Sequence, residues 1–201
     1  MGWKASAIII NKPTQVDNET LLTELGFNNL TRIEDEPFEV AINPDDNKVY
    51  IGSYKNNLLV CASGIPTQFF DENETPIEKT FNRIFPNSEI CSIVLHSAIN
   101  LWGYSVTKNG KKIRARAGNS DDGTFVEIGE PLDEEKELLS KSKLDENGNK
   151  VYVLDEFPDE TFSEDQVGEN FVFLICKRYF DQKLDSAHDL LFKTTLTGYQ
   201  Y

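Results

Sequence analysis

Long apolar runs are missing from this sequence. Runs such as residues 7–10 and 171–176 fall far short of the ~20 residues that a membrane-spanning helix requires, so no such helix and no membrane partner are expected. Basic residues are also scarce. Against 34 Asp and Glu stand only 20 Lys and Arg, a net charge of −14, which argues against a broad surface for nucleic acid or anionic lipid. Cysteines number three (Cys61, Cys91 and Cys176), none in a C-x-x-C pair and each inside an apolar segment. That usage fits reduced core thiols and a cytoplasmic location rather than a disulfide framework. Histidines number two, His96 and His188, too few and too far apart for a recognisable zinc spacing. The chain also lacks G-x-S-x-G, a phosphate-binding Gly loop, G-x-G-x-x-G and H-E-x-x-H, so no catalytic residue, metal or cofactor is implied.

Aromatic residues, by contrast, are plentiful. Thirteen Phe, seven Tyr and two Trp in 201 residues supply enough apolar area to fold a core without disulfides or metal. The expected architecture is a single α+β domain over residues 1–201. It should hold a mostly antiparallel meander sheet of roughly seven to nine strands with about three packed helices. Met1-Gly2-Trp3-Lys4-Ala5-Ser6 matches an N-acylation pattern in form, but its apolar continuation reads as a tucked-in first strand over residues 6–10. The N-terminus has no hydrophobic leader or small-residue cleavage site, so no signal peptide is expected. Three Asn-x-Ser/Thr sequons, at Asn18, Asn29 and Asn73, are what 17 Asn give by chance.

Along the chain, Asp17 to Thr20 caps a short helix that Gly26 stops. Residues 38–42 alternate and read as a strand, followed by strands at 49–52 and 58–61. Thr75-Pro76-Ile77-Glu78 opens a helix that Pro86 ends. The clearest local signal is Asn109-Gly110 between alternating runs, a two-residue hairpin. Simple pairing sets Val106 against Ile113, Tyr104 against Ala115 and Trp102 against Ala117. On that register the aromatic face is core, and Ser105, Lys112, Arg114 and Arg116 share the opposite face. Two Arg two residues apart make a fork suited to a carboxylate or phosphate. These four residues are the candidate binding site for an anion or partner, with internal pairing to Glu127 or to acids of the 133–137 helix as the alternative.

Charge is uneven. Residues 1–118 carry 12 basic and 14 acidic side chains, while residues 119–201 carry 8 and 20. Residues 132–139 read as a short acidic helix, 151–154 as a strand and 155–163 as an acidic loop pinned by Phe157 and Phe162. Ser163-x-x-Gln166 resembles a capping box. Beyond it, residues 171–176 are apolar on every side, so pattern alone leaves helix or strand open. Interleaved aromatics should anchor this half of the chain to the sheet, with its carboxylates facing outward.

Met-Gly-x-Lys before an apolar first strand, and Gly-Glu-Pro-Leu at 129–132 followed by acids, resemble an uncharacterised bacterial protein family of unknown function. The resemblance covers the first strand and residues near 101–135 and implies no activity. Abundant Asn, Lys and Phe fit a bacterial source with AT-rich coding. The functional expectation is a non-catalytic acidic binding protein that engages a basic protein partner. The alternatives are a small-anion or small-ligand binding regulator, and a hydrolase or transferase using His96.

Overall fold

Three consecutive isoleucines occupy the middle of the structure, because both faces of their strand are covered. The computed structural model describes residues 2–201; Met1, which begins the acylation-like motif, lies outside the described residues. In chain order the elements are β1 (Lys4–Asn11), α1 (Asn18–Glu24), β2 (Thr31–Arg32), β3 (Glu36–Pro37), α2 (Phe38–Ala41), β4 (Lys48–Tyr54) and β5 (Asn57–Ala62). A 3-10 turn (Pro66–Phe70), α3 (Pro76–Ile84), β6 (Glu89–His96), β7 (Leu101–Lys108), β8 (Lys111–Asn119) and β9 (Gly123–Ile128) follow. The remainder is α4 (Asp133–Ser140), β10 (Ser142–Leu144), β11 (Lys150–Leu154), β12 (Phe157–Ser163), α5 (Glu164–Phe180), α6 (His188–Lys193) and β13 (Thr195–Gln200).

The α+β class is as expected, with more elements than anticipated. A ten-stranded sheet runs β2-β13-β4-β5-β1-β6-β7-β8-β9, with β3 also pairing β13, and β10-β11-β12 form a small second sheet. Every strand pair is antiparallel. The last strand inserts between β2 and β4, so Tyr199 is buried and the C-terminal segment is docked. On one face, Ala7, Ile9, Cys61, Ile93, Trp102 and Tyr104 pack under α5. On the other, Ile8, Ile10, Val49 and Val60 pack under α1 and α3. Burial on both faces explains why β1 and β5 read as continuous apolar runs rather than alternating ones. The three cysteines are free and buried, and burial raises their thiols.

Three segments differ from expectation or settle an open alternative. Residues 38–42 are not a strand. Phe38, Ala41 and Ile42 are buried while Val40 is half exposed, the i, i+3, i+4 spacing of one helical turn. Of the acidic segment 155–163 only residues 155–156 form a turn; the rest is β12, which pairs Phe162 with Tyr152 on β11. Residues 171–176 are the middle of the 17-residue helix α5, whose first turn is closed by the Ser163 N–H donating to Gln166 Oε1 at 2.9 Å. The sheet, α4 and the small sheet surround that stretch, which is why it is apolar all round.

Candidate functional site

The Asn-Gly hairpin forms as its sequence dictates, with Asn109 and Gly110 both at positive φ and Lys108 opposite Lys111. Its register then slips. Thr107 pairs with Lys112, but Val106 pairs with Arg114, Tyr104 with Arg116 and Trp102 with Gly118. Ile113 is the extra residue of a β-bulge, and one extra residue moves every later side chain to the other face of the sheet. The expected pairings of Val106, Tyr104 and Trp102 are therefore corrected, and so is the expected shared face.

Arg114 and Arg116 project on the aromatic side and are 0% and 1% exposed. Lys112 and Ser105 stay on the opposite side. There Lys112 Nζ donates to the Asp71 carbonyl at 2.5 Å and pairs with buried Glu78 at 3.1 Å, pinning α3 to the sheet. Ser105 is fully buried, and its hydroxyl has no partner among the described residues. The structure thus divides the four candidate residues between two faces.

Arg114 meets Glu135 in a bidentate pair, Nε to Oε1 at 2.8 Å and Nη2 to Oε2 at 2.7 Å. Its Nη1 donates to Glu127 at 2.7 Å and to the Gly129 carbonyl at 2.8 Å. Glu135 also accepts from the Tyr104 hydroxyl at 2.7 Å and the Leu132 N–H at 2.8 Å, so this buried carboxylate has four donors. Such saturation is what a charge pair needs to offset its desolvation. Arg116 donates to the second oxygen of Glu127 at 2.6 Å and to Glu164, and its guanidinium lies 4.3 Å from the Phe171 ring centroid and 5.4 Å from that of Trp102. Its Nη1 has no partner among the described residues. An external anion would have to displace Glu127, the one half-exposed acid that bridges both arginines.

Glu164, Tyr104 and Tyr152 belong to this network without having been singled out in the sequence. A buried Tyr requires a hydroxyl partner, and an acid in the first turn of a helix is ordinary, so neither signal names a site. Burial alone would raise the Glu164 carboxyl. Hydrogen bonds from Thr124 and Tyr152, with the Arg116 and Lys150 charges, outweigh it and hold the group at about 2. A folded-state value below the ordinary ~4.3 contributes stability above that pH and loses it as pH falls toward 2, on the order of 2 kcal/mol after allowance for solvent screening. Acid titration of unfolding should show this loss between about pH 4 and pH 2. In Glu164→Gln that part of the pH dependence should disappear; an unchanged acid slope would refute the assignment.

His96 is half buried at the end of β6, opposite Lys4 and Leu101, and its Nδ1 has no partner among the described residues. His188 starts α6 and stacks on Phe192. No group of three or more His, Cys, Asp or Glu among the described residues is placed to hold a metal ion.

Residues 12–149 match the sequence model of a family of unknown function (DUF6928). The chain belongs to this family. The matched region runs from the end of β1 to the turn before β11, so it holds Arg114, Arg116, Glu127 and Glu135, whereas Tyr152 and Glu164 lie beyond it. It also contains Gly-Glu-Pro-Leu, and the structure gives that motif a local role. Gly129 (φ +77°) sits so close to the bulge that a Cβ there would lie 2.0 Å from the Ile113 carbonyl oxygen. Three residues on, Leu132 opens the turn that delivers Glu135 to Arg114. No curated protein and no solved structure matches the chain.

Proposed function

We propose that this protein is a non-catalytic binding protein of the bacterial cytoplasm whose C-terminal acidic face engages a basic protein. The observation that carries this reading is where the cations go. Arg114 and Arg116 are sunk in the core against Glu127, Glu135 and Glu164. Lys136, Lys141, Lys150 and Arg178 are each paired with carboxylates of the fold. Around β12, however, Glu156, Asp159 and Glu160 are exposed and lack an ion pair among the described residues. β12 pairs on one side only, and Phe157 beside these acids is half exposed. Carboxylates without an ion pair next to an exposed aromatic fit a partner of opposite charge, through long-range steering and complementarity.

The test compares wild type with Glu156→Lys/Asp159→Lys/Glu160→Lys in affinity capture from the native host, followed by association kinetics with the purified partner. The expected partner is basic. Its association should slow with added salt and be at least about tenfold slower with the charge-reversed variant. Equal, salt-independent association of the two proteins would overturn the reading.

A further inference from the structure

Away from the arginine network, α2, α6 and the start of β1 enclose a groove of about 400 Å³. Trp3 and Phe192 line it, with His188 stacked on Phe192 at a centroid distance of 6.0 Å and an interplanar angle of 18°. Phe192 is 54% exposed, although the rest of the apolar side of α6 is buried. Trp3 is held in place from behind by an edge-to-face contact with Phe173 at 5.1 Å. Two carboxylates, Glu39 of α2 and Asp185 just before α6, face the same space, and neither has an ion-pair partner among the described residues. Lys4 brings an opposing ammonium to the rim.

Aromatic faces bordered by unpaired carboxylates are complementary to an organic cation, which gains from the ring quadrupole and from the anions together. The volume lies within the usual ~300–1,000 Å³ of a side-chain or small-ligand site, and the net charge of −14 adds a favourable field. We propose that this groove binds a cationic side chain, an arginine or lysine presented by the basic partner; the inference rests on the partner reading given above. Trp3 and Phe192 flank the cation, and Glu39 and Asp185 neutralise it. Sequence pattern hides the arrangement, because residues 38–42 look like a strand and would not place Glu39 beside α6.

The probe is N-acetyl-arginine amide, with the uncharged isostere N-acetyl-citrulline amide as control, added at pH 8 and low salt and followed by the two indole N–H resonances. The Trp3 signal should shift with millimolar affinity while that of buried Trp102 stays still. Glu39→Gln/Asp185→Asn and Phe192→Ser, all at exposed positions, should each weaken binding about fivefold or more, and Lys4→Gln should strengthen it. No shift of Trp3, or an equal shift with the citrulline amide, overturns the proposal. The partner arm is independent of the small probe. Capture that Glu39→Gln/Asp185→Asn weakens while the β12 acids are intact supports the groove; capture that it leaves unchanged refutes it. Arginine-amide binding without any captured basic protein supports the groove chemistry and instead refutes the partner reading.

Discussion

Glu135→Ala should lower the free energy of unfolding by about 3–5 kcal/mol, because it strands the Arg114 guanidinium in the core. Arg114 is 0% exposed, and two of its strongest bonds end on that carboxylate. The same change removes the acceptor of the buried Tyr104 hydroxyl, whose ionisation burial already suppresses. Glu127 cannot take over, since its two oxygens already bridge Arg114 and Arg116. The loss should shrink when both charges go together. Arg114→Met/Glu135→Leu trades a desolvated pair for apolar volume and should recover much of the loss, though not all of it, because the Tyr104 hydroxyl and the Leu132 N–H remain without their acceptor. Urea unfolding of Arg114→Met, Glu135→Leu and the double variant closes the cycle. Losses that add, with no recovery in the double variant, would show that the pair is not energetically coupled.

Gly168→Ala sets two known effects against each other. In an exposed helix this change stabilises by about 1 kcal/mol through backbone entropy. Here the added Cβ would lie 2.0 Å from Trp102 Cδ1 and 2.2 Å from its Cγ. The indole has no room to yield, being 1% exposed, stacked on Phe171 at 5.7 Å and covered by Arg116. Overpacking at such a site costs typically 1–3 kcal/mol and more when nothing can move, so the steric term wins. The expected result is a net loss of about 2 kcal/mol or more with a changed near-UV signal from Trp102. Lys177→Ala, exposed on the same helix, serves as the control and should be nearly neutral. A Gly168→Ala protein as stable as wild type would mean that α5 can withdraw from the sheet at little cost.

Several parts of the fold were legible in the sequence because their causes are local. Asn109-Gly110 specifies a turn through the positive φ that both residues adopt. Thr75 and Glu78 close the first turn of α3 through their own side chains, with Glu78 Oε2 accepting from the Thr75 N–H at 3.0 Å. The aromatics of the C-terminal half predicted anchoring, and Tyr152, Phe171, Phe173, Tyr179 and Phe180 are buried, though Phe125 and Phe157 stay half exposed. The acids nearest the arginines could also be named in advance, since Glu127 lies on the adjoining strand and Glu135 in the following helix.

Which face the arginines occupy was decided only by the tertiary structure. Alternation along β8 is compatible with either face, and a single unpaired residue, Ile113, selects between them. Nothing within the hairpin favours a bulge there. It is fixed from outside, by Gly129 lying against the Ile113 carbonyl and by Glu135, Glu127 and Glu164 arriving from later elements to satisfy two guanidinia that would otherwise be too costly to bury. The same holds for residues 171–176, whose uniform apolarity records burial on all sides and becomes a helix because Ser163 and Gln166 start one eight residues earlier. Local chemistry therefore determined the turns, the caps and the class of the fold, while the register of β8, and with it the placement of Arg114 and Arg116, depended on contacts between segments far apart in the chain.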